Sequence, residues 1–411
     1  MPATQGATEM LRCRLLSCTL LVACSSKDPA PATDAGIDTA QPLPSFATEA
    51  RVLVSGHDVT NEDCRTGICR HNENTDLFVW NGATYLIHRT AMSQVLGPNS
   101  SLRISRTTDG GQRWENLKTI PAPTTKLSAD DKADKGRDLR DPCFYSVGDT
   151  LYVKALTRLP VVSSHDAGVD TLAVYSATKD GKTWTDLAPM GPLKWSFWRI
   201  KKAPDGTLWN AAYEDGDASV VLFSSKDGTT WTKGATVWAN AADTPLETEI
   251  EFMPKGKMLL LVRMDGNPDA AEYLDPAAPG ARQRTKICWS SPPFDKVDCP
   301  QELTNARLDG PVTFVWKGRL FVLARKHLPA VKKRTTLFEL KGDFDGGPMT
   351  LVDHGDLPSS GDTAYGGVAP IDDHRWLATW YSSDVPDDPN WLYGMLGLTD
   401  IWQATLDLSK L

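Results

Sequence analysis

The chain has 411 residues, 41% of them hydrophobic, and a formal net charge of -8 from 44 Lys and Arg against 52 Asp and Glu. The basic residues are scattered, so the sequence lacks the clustered positive charge that binding to nucleic-acid phosphates requires. The length does not determine the number of domains, because a single domain built from β-repeats can exceed the usual size of one hydrophobic core.

The first 24 residues are predicted to be an export signal. Arg12 and Arg14 precede an apolar run that is too short to cross a bilayer as a helix. The residues before Met10 carry no such positive charge, which makes Met10 a candidate start. The segment Leu21-Val-Ala-Cys24 resembles the bacterial lipobox, which implies lipidation of Cys24; an ordinary cleaved signal peptide is the alternative. We therefore expect an exported lipoprotein of the bacterial cell envelope that meets the membrane only through the lipid on Cys24.

Residues 25–48 are predicted to be a tether. They are rich in Pro, Ala, Ser and Asp and cannot bury enough apolar surface to fold. No later stretch approaches the roughly 20 apolar residues of a spanning helix. Residues 49–411 are therefore expected to form one folded domain.

Cysteine spacing agrees with export. Cys64 and Cys69 close a short loop, and Cys288 and Cys299 flank a proline-containing turn, so both pairs are predicted to form disulfides in an oxidising compartment. Cys143 is left over. The paired Cys-x-x-Cys or Cys/His spacing of a zinc site is absent, and neither a metal nor a cofactor is expected.

Three short repeats predict the fold class. TTDGGQRW (107–114), TKDGKTW (178–184) and SSKDGTTW (224–231) each place Asp-Gly in a tight turn with Trp three or four residues later. They resemble Asp-boxes, in which the Ser/Thr and Asp side chains hydrogen-bond the turn and the Trp packs between propeller blades. This resemblance implies a structural role for the boxes and no catalytic one.

Around these boxes the chain repeats a unit of strand, turn and strand. The six turns are Trp80-Asn-Gly82, Ser146-Val-Gly148, Pro204-Asp-Gly206, Pro254-Lys-Gly256, Trp316-Lys-Gly318 and Ile371-Asp-Asp373. A third strand follows each pair, which is the spacing of an all-β radial array. The sequence therefore predicts an all-β, six-bladed β-propeller, with RVLVSG (51–56) as the strand that closes the ring against the last blade.

Alignment of the units on their turns places one arginine at the same position in three of them. Arg89, Arg263 and Arg325 each lie seven residues after the turn glycine, on an otherwise apolar second strand. A single arginine of this kind is as often a solvent-facing residue. Its recurrence predicts convergence on one anion, because guanidinium groups bind carboxylates bidentately.

The first strands carry complementary polar residues. They are Asp76, Arg140 with Asp141, Arg199, Glu247 and Tyr365, and they are expected to line the central funnel. Burying such groups is costly unless they are paired or functional, so the pattern indicates a site. A structural salt-bridge network at the hub is the alternative.

The second half of the chain resembles enzymes of the sialidase superfamily. The resemblance is carried by PLETEIEFMPKGKMLLLVRMDG, GPVTFVWKGRLFVLARKH and SSGDTAYGGVAPIDDHRWLATWYSSD, with DLRDP upstream as a further specific motif. Glu247, Arg263, Arg325 and Tyr365 reproduce the family's order and spacing. The resemblance implies a fold of the sialidase type, Tyr365 as nucleophile, Glu247 as its base, arginines that bind a substrate carboxylate, and an aspartic acid that protonates the leaving oxygen.

The chain also departs from that family. The FRIP motif is absent, so Arg70 or Arg89 has to replace the first arginine of the triad. The loop TAMSQVLG after Arg89 carries no acid, which leaves Asp76 or Asp141 as the proton donor. The leading hypothesis is an exo-acting glycosidase that removes an acidic terminal sugar, with Arg89, Arg140, Arg199, Arg263 and Arg325 as substrate-binding residues. A non-catalytic glycan-binding propeller and a protein-interaction scaffold remain alternatives.

Overall fold

The computed structural model describes residues 41–95, 99–127, 137–158, 171–214, 218–266, 275–278, 281 and 283–411. The chain divides into two units, Met1–Asp38 and Thr39–Leu411, and the described residues belong to the second. The export signal, Cys24 and most of the tether lie outside the described residues. Within the described part, none of the helices has the length and apolar character needed to cross a membrane.

Strands dominate the described residues and form five hydrogen-bonded sheets. The largest sheet has eight strands: β1 (Ala47–Val54), β2 (His71–Trp80), β3 (Ala83–Ala91), β4 (Ser101–Thr107), β5 (Glu115–Pro121), β22 (Thr363–Pro370), β23 (Arg375–Ser383) and β24 (Thr399–Asp407). Their order is β22-β23-β24-β2-β3-β4-β5, and β1 pairs with β24. The short helix α1 (Trp391–Leu396) precedes β24, and a 3-10 turn (Leu408–Lys410) follows it.

The other four sheets each contain four strands in chain order. They are β6 (Asp138–Val147), β7 (Thr150–Arg158), β8 (Leu172–Thr178) and β9 (Ala188–Pro189); β10 (Trp195–Lys202), β11 (Leu208–Glu214), β12 (Ser219–Ser225) and β13 (Thr232–Ala239); β14 (Pro245–Phe252), β15 (Met258–Met264), β16 (Arg284–Ser290) and β17 (Asp298–Leu303); and β18 (Asp309–Trp316), β19 (Arg319–Leu328), β20 (Lys332–Gly342) and β21 (Met349–Leu357). Each is an antiparallel blade.

The structure therefore shows four separate blades and one eight-stranded sheet, where the sequence predicted six separate blades. The difference arises at one place, where His71 on β2 forms a parallel bridge with Thr399 on β24. The backbone N–H of Thr399 also donates to the carbonyl of Arg70 at 3.0 Å. These bonds join strands that the sequence pattern assigned to the first and last blades.

The six turns predicted from the sequence all connect antiparallel strand pairs. Gly82 adopts φ +75° with nothing near the position of a Cβ, so the left-handed backbone alone explains the glycine. Strand β1 pairs antiparallel with β24, as RVLVSG predicted, and its register begins with Ala47 opposite Leu406. Phe46, just before it, is already fully buried.

The second Asp-box packs against a neighbouring sheet. In the second box, Asp180 accepts hydrogen bonds from the backbone N–H groups of Lys182 and Thr183 at 2.8 and 2.7 Å. Gly181 lies against the side chain of Tyr85 in the neighbouring sheet, where a Cβ would not fit. Trp184 is buried in the same apolar cluster as Tyr85. The boxes thus have the structural role predicted for them.

The first strands of the six hairpins contact one another in a closed ring, in the order β2, β6, β10, β14, β18, β22 and back to β2. Each of these strands also has an irregular register near its start. The shifts lie between Glu73 and Asp76, Arg140 and Cys143, Phe197 and Ile200, Pro245 and Thr248, Asp309 and Val312, and Ala364 and Gly367. A bulge bends the strand and changes the direction of its side chains. Because the six first strands form a closed ring, their six irregular segments surround one axis.

Cysteine pairing follows the prediction from spacing. Cys64 bonds to Cys69, and Cys288 bonds to Cys299. Cys143 is free and buried.

Candidate active site

Tyr365 and Glu247 form the centre of the candidate site. Both lie in the irregular segments of first strands, β22 and β14, and each side chain is buried. The Tyr365 hydroxyl donates to Glu247 Oε1 at 2.6 Å. Tyr365 itself has φ +48°, a strained conformation for a non-glycine residue, and such strain is often found at functional sites.

Two of the three repeat arginines meet at Tyr365. Arg263 Nη1 donates to the Tyr365 hydroxyl at 2.8 Å and lies 2.6 Å from Glu247 Oε2. The Arg325 guanidinium lies over the Tyr365 ring, 4.8 Å from its centroid. The structure therefore brings together the four residues Glu247, Arg263, Arg325 and Tyr365, as their order in the sequence predicted.

Both arginines also pair with carboxylates that the sequence analysis missed. Arg263 binds Asp265 through Nε and Nη2, and Arg325 Nη2 donates to Asp362 at 2.8 Å. Asp309 lies between them, 3.1 Å from Arg263 Nε and 3.7 Å from Arg325 Nη1. The sequence does contain a signal for the pair of Arg263 and Asp265. The two residues are two positions apart, and side chains at this spacing in an extended strand lie on the same face.

Burial and charge set the acid-base properties of the central pair. Burial raises the pKa of Tyr365 well above its usual value, and the neighbouring Glu247 carboxylate adds to the effect. Burial also raises the pKa of Glu247, although Arg263 opposes this. At rest the phenol is therefore protonated and Glu247 is a stronger base than a solvent-exposed glutamate.

A narrow pocket of about 10 Å³, with room for about one water molecule, lies beside Tyr365. It is lined by Tyr365 with Asn74, Thr75, Asp141, Pro142, Lys154, Trp198 and Arg199. Most of these residues come from the irregular segments of β2, β6, β10 and β22. The bulges therefore supply the wall of the pocket.

Asp141 is held firmly in that wall. Its backbone has φ +47°, and the Lys154 ammonium donates to its carbonyl oxygen at 2.8 Å. The Asn74 amide donates to its carboxylate at 2.6 Å. Asp141 thus faces the same pocket as Tyr365 and is placed to exchange a proton with a bound ligand.

Asp76, the other candidate acid, is engaged elsewhere. Its carboxylate accepts from Arg199 Nη1 at 2.5 Å and from the backbone N–H of Phe144 at 2.8 Å. It lines a different pocket, of about 330 Å³, together with Lys201, Glu251 and other residues. Burial raises the pKa of Asp76, while Arg199 opposes the rise. Of the two predicted acids, Asp141 lines the pocket beside Tyr365 and Asp76 does not.

Arg89 and Arg140, which were predicted to bind substrate, both contact Asp138, and neither lines the pocket beside Tyr365. Arg89 is fully buried, pairs with Glu73 and contacts Asp138 at 2.8 Å. Arg140 binds the same Asp138 at 2.7 Å. Arg70 donates to the backbone carbonyls of Met92 and Leu396. Arg70 and Arg89 are thus bonded to other groups of the protein, and neither lines the pocket beside Tyr365.

His71, Glu73 and Asp362 form the one described group with metal-ligand geometry, with ligand atoms within 4.8 Å of one another. Glu73, however, is the partner of Arg89, and Asp362 is the partner of Arg325. Their negative charge is already matched by guanidinium groups, so the arrangement does not favour a divalent cation.

Comparison with known proteins identifies the fold. No family model matches the chain, and no curated protein matches it. The chain resembles a protein of unknown function from Dyadobacter fermentans, with 16% identity, a TM-score of 0.59, and coverage of 87% of this chain and 99% of that one. It also resembles the NanB sialidase from Streptococcus pneumoniae, with 10% identity, a TM-score of 0.61, and coverage of 90% and 72%.

A third similar structure is the intramolecular trans-sialidase from Ruminococcus gnavus in complex with oseltamivir carboxylate, with 11% identity, a TM-score of 0.61, and coverage of 88% and 98%. At this level of identity the likeness shows the fold alone. The chain has an all-β, propeller-like fold similar to that of sialidases.

Proposed function

We propose that the protein is an exo-acting glycoside hydrolase in which Tyr365 is the nucleophile, Glu247 its base and Asp141 the acid. One observation carries the proposal: the Tyr365 hydroxyl is hydrogen-bonded to Glu247 at 2.6 Å, beside a pocket that Asp141 also lines. A nucleophile bonded to its base, with an acid across the pocket, is the arrangement that glycosyl transfer to a protein side chain requires.

The reaction would proceed in two steps. Tyr365 Oη attacks the anomeric carbon, its proton passes to Glu247, and Asp141 protonates the departing glycosidic oxygen. Water then attacks the anomeric carbon of the glycosyl-tyrosine, Asp141 accepts the proton of that water, and Glu247 returns a proton to the phenolate oxygen. Each group ends in its starting state, and the product retains the configuration of the substrate.

The surroundings of Tyr365 support this role. The raised pKa of Glu247 improves it as a base. Arg263 donates to the Tyr365 hydroxyl at 2.8 Å and would stabilise the negative charge that develops on this oxygen. Arg325 lies over the ring. The sialidases among the similar structures make a glycan ligand a consistent choice.

The sequence also led to the hypothesis that the substrate is an acidic sugar whose carboxylate binds to the arginine cluster. That hypothesis requires guanidinium N–H groups that a substrate carboxylate can reach. Arg263 and Arg325 instead hold groups of the protein. We therefore propose glycoside hydrolysis without assigning a charge to the sugar.

A glycan-binding propeller without catalysis is the second candidate. It is favoured by the raised pKa of Tyr365, which keeps the phenol neutral unless Glu247 removes its proton. The two candidates differ in turnover. The test is a panel of 4-methylumbelliferyl glycosides with wild type, Tyr365→Phe and the control Tyr152→Phe. Tyr152 is a half-buried tyrosine that stacks on Tyr145, and both lie in a different sheet from Tyr365. Turnover that is present in wild type and Tyr152→Phe but lost in Tyr365→Phe supports the hydrolase. Binding of a glycan by wild type without turnover supports the binding module.

We also propose that the protein is a lipoprotein of the bacterial cell envelope, anchored through Cys24. The support is the signal segment ending in Leu21-Val-Ala-Cys24 and the polar residues that follow it. Hydrolysis of surface or extracellular glycans would suit that location.

We propose further that the eight-stranded sheet corresponds to two blades, which would make six in total. Two features support this reading. The two halves of the sheet meet through a single parallel bridge between His71 and Thr399, and the six first strands share the same irregular register.

A further inference from the structure

Gly310 lies against the pair of Tyr365 and Glu247 at the centre of the candidate site. It follows Asp309 in the irregular segment of β18, which is one of the six first strands in the closed ring. It is buried, and its backbone has φ +55°, in the left-handed region that favours glycine. The irregular segment of β18 therefore brings Gly310 into contact with residues of β14 and β22.

The backbone N–H of Gly310 holds one oxygen of Glu247. It donates to Oε2 at 2.9 Å, and Arg263 Nη1 lies 2.6 Å from the same oxygen. The other oxygen, Oε1, accepts from the Tyr365 hydroxyl at 2.6 Å. A backbone donor has no rotamers of its own, so it fixes the direction of the carboxylate more firmly than a side chain would. Oε1 is therefore the oxygen that is placed to take the proton of the phenol.

The missing side chain of Gly310 makes room for the ring of Tyr365. A Cβ atom at Gly310 would lie 2.8 Å from Cγ and Cδ2 of that ring and 2.9 Å from Cδ1. Carbon atoms in contact are normally about 3.5 to 4.0 Å apart. Any residue other than glycine would therefore push the ring away from β18.

The Tyr365 ring has little freedom to give way. Trp198 packs edge-on against it with centroids 5.8 Å apart, and the Arg325 guanidinium lies 4.8 Å from its centroid. Its hydroxyl is bonded to Glu247 and to Arg263. Because packed interiors have few voids, a displaced ring would also disturb these bonds.

We propose that Gly310 is a positioning residue of the candidate site: its N–H orients Glu247, and its lack of a side chain sets the position of the Tyr365 ring. The inference rests on the proposed hydrolase function, since it adds a residue to the same site. The chemical reason is that the Tyr365 oxygen has to reach the anomeric carbon while Glu247 Oε1 takes its proton. A misplacement of about 1 Å can cost about 10²-fold in rate.

The test variant is Gly310→Ala, with two matched controls. Gly256 also has a positive φ, +84°, but nothing lies within 4 Å of its Cβ position, so Gly256→Ala measures the effect of the backbone conformation alone. A Cβ at Gly228 would lie 2.9 Å from the ring of Tyr145, in a different sheet from Tyr365. Gly228→Ala therefore measures the effect of crowding a tyrosine outside the site.

Kinetics on the best 4-methylumbelliferyl glycoside is the first measurement. Gly310→Ala should lower kcat by about 10²-fold, because the ring is displaced from its position for attack. KM should change little, since the positioning acts on the bond-forming step. Both controls should keep the wild-type kcat. A wild-type kcat in Gly310→Ala, or an equal loss in Gly228→Ala, would overturn the inference.

Fluorine NMR is the second measurement and needs no substrate. With 3-fluorotyrosine incorporated at position 365, Gly310→Ala should move the fluorine resonance, because the hydrogen bond to Glu247 changes. Gly256→Ala and Gly228→Ala should leave the resonance in place. A resonance that stays unchanged in Gly310→Ala contradicts the proposed contact.

Urea unfolding decides if Gly310→Ala is too unstable for NMR. Gly310→Ala should lower the unfolding midpoint more in the wild-type background than in Tyr365→Ala, where the ring that alanine crowds is gone. Equal decreases in the two backgrounds would overturn the inference. Wild type that turns over none of the glycosides refutes the hydrolase, and the NMR and unfolding measurements then still decide whether Gly310 positions Tyr365.

Discussion

The Tyr365 hydroxyl donates to Glu247 at 2.6 Å although 118 residues separate the two in the chain. The contact depends on the closed ring of first strands, which brings β14 and β22 to the same axis. It depends also on the irregular register of both strands, where the side chains are re-aimed.

Tyr365→Phe should abolish most turnover and leave the fold and ground-state binding largely intact, because the missing oxygen acts in the bond-forming step. Glu247→Gln should lower kcat by about 10²- to 10⁴-fold, the usual contribution of a positioned base. The double variant should lose little more than Tyr365→Phe alone, since the two residues act as a unit. Steady-state kinetics on the best glycoside measures all three, and a Tyr365→Phe protein with wild-type rates would refute the mechanism.

Asp141→Asn should lower kcat by about 10²- to 10⁴-fold on substrates whose leaving group needs a proton, the usual contribution of a positioned acid. The loss should be smaller on an activated aryl glycoside, because an acidic phenol leaves without protonation. Asp76→Asn is the matched comparison, since Asp76 binds Arg199 and lines the other pocket. If the loss of kcat depends on the leaving group in Asp76→Asn and not in Asp141→Asn, the general acid is Asp76 and not Asp141.

Arg325→Met should destabilise the fold by about 3 to 5 kcal/mol, because the buried Asp362 loses its guanidinium partner and keeps only the neutral donors Tyr381 and Trp391 on Oδ1. Addition of Asp362→Asn should recover part of that loss, as expected for a coupled pair. Urea unfolding of the two single variants and the double variant measures the coupling. Additive effects would show that the two residues do not depend on each other for their stability.

Trp184→Ala should lower the free energy of unfolding by about 3 to 5 kcal/mol, the usual cost of truncating a buried aromatic side chain. Trp184 is 7% exposed and packs with residues of the neighbouring sheet. Trp231→Ala should cost less, because Trp231 is only half-buried, although it packs edge-on against Phe197. Kinetic constants of the folded fraction should stay unchanged in both. Lost activity at full stability would contradict a structural role for the boxes.

Cys24→Ser should release the protein from membranes, because the variant has no sulfur atom to carry the lipid. Fractionation of cells that express wild type and the variant measures this, and metabolic labelling with a fatty acid gives a second readout. Substitution of a cysteine that precedes it, Cys18→Ser, serves as the control and should leave membrane association unchanged. A Cys24→Ser protein that still sediments with membranes would exclude the anchor.

The sequence by itself determined the features that depend on neighbouring residues. Gly82 predicted its turn because the left-handed backbone at this position favours glycine. Asp180 predicted its box because the side chain bonds N–H groups two and three residues later. The order and spacing of Glu247, Arg263, Arg325 and Tyr365, through their resemblance to the sialidase superfamily, predicted that these four residues meet.

Only the tertiary structure decided the features that depend on distant partners. The bridge between His71 and Thr399, which joins two expected blades into one sheet, is a backbone contact that side-chain patterns do not encode. The presence of Asp141 and Tyr365 in one pocket depends on a bulge, because an extra residue in one strand is not visible without its partner strand. The sequence around Arg325 does not distinguish an arginine that binds a ligand from one that pairs with Asp309 and Asp362. Its role follows from which carboxylates the fold buries beside it.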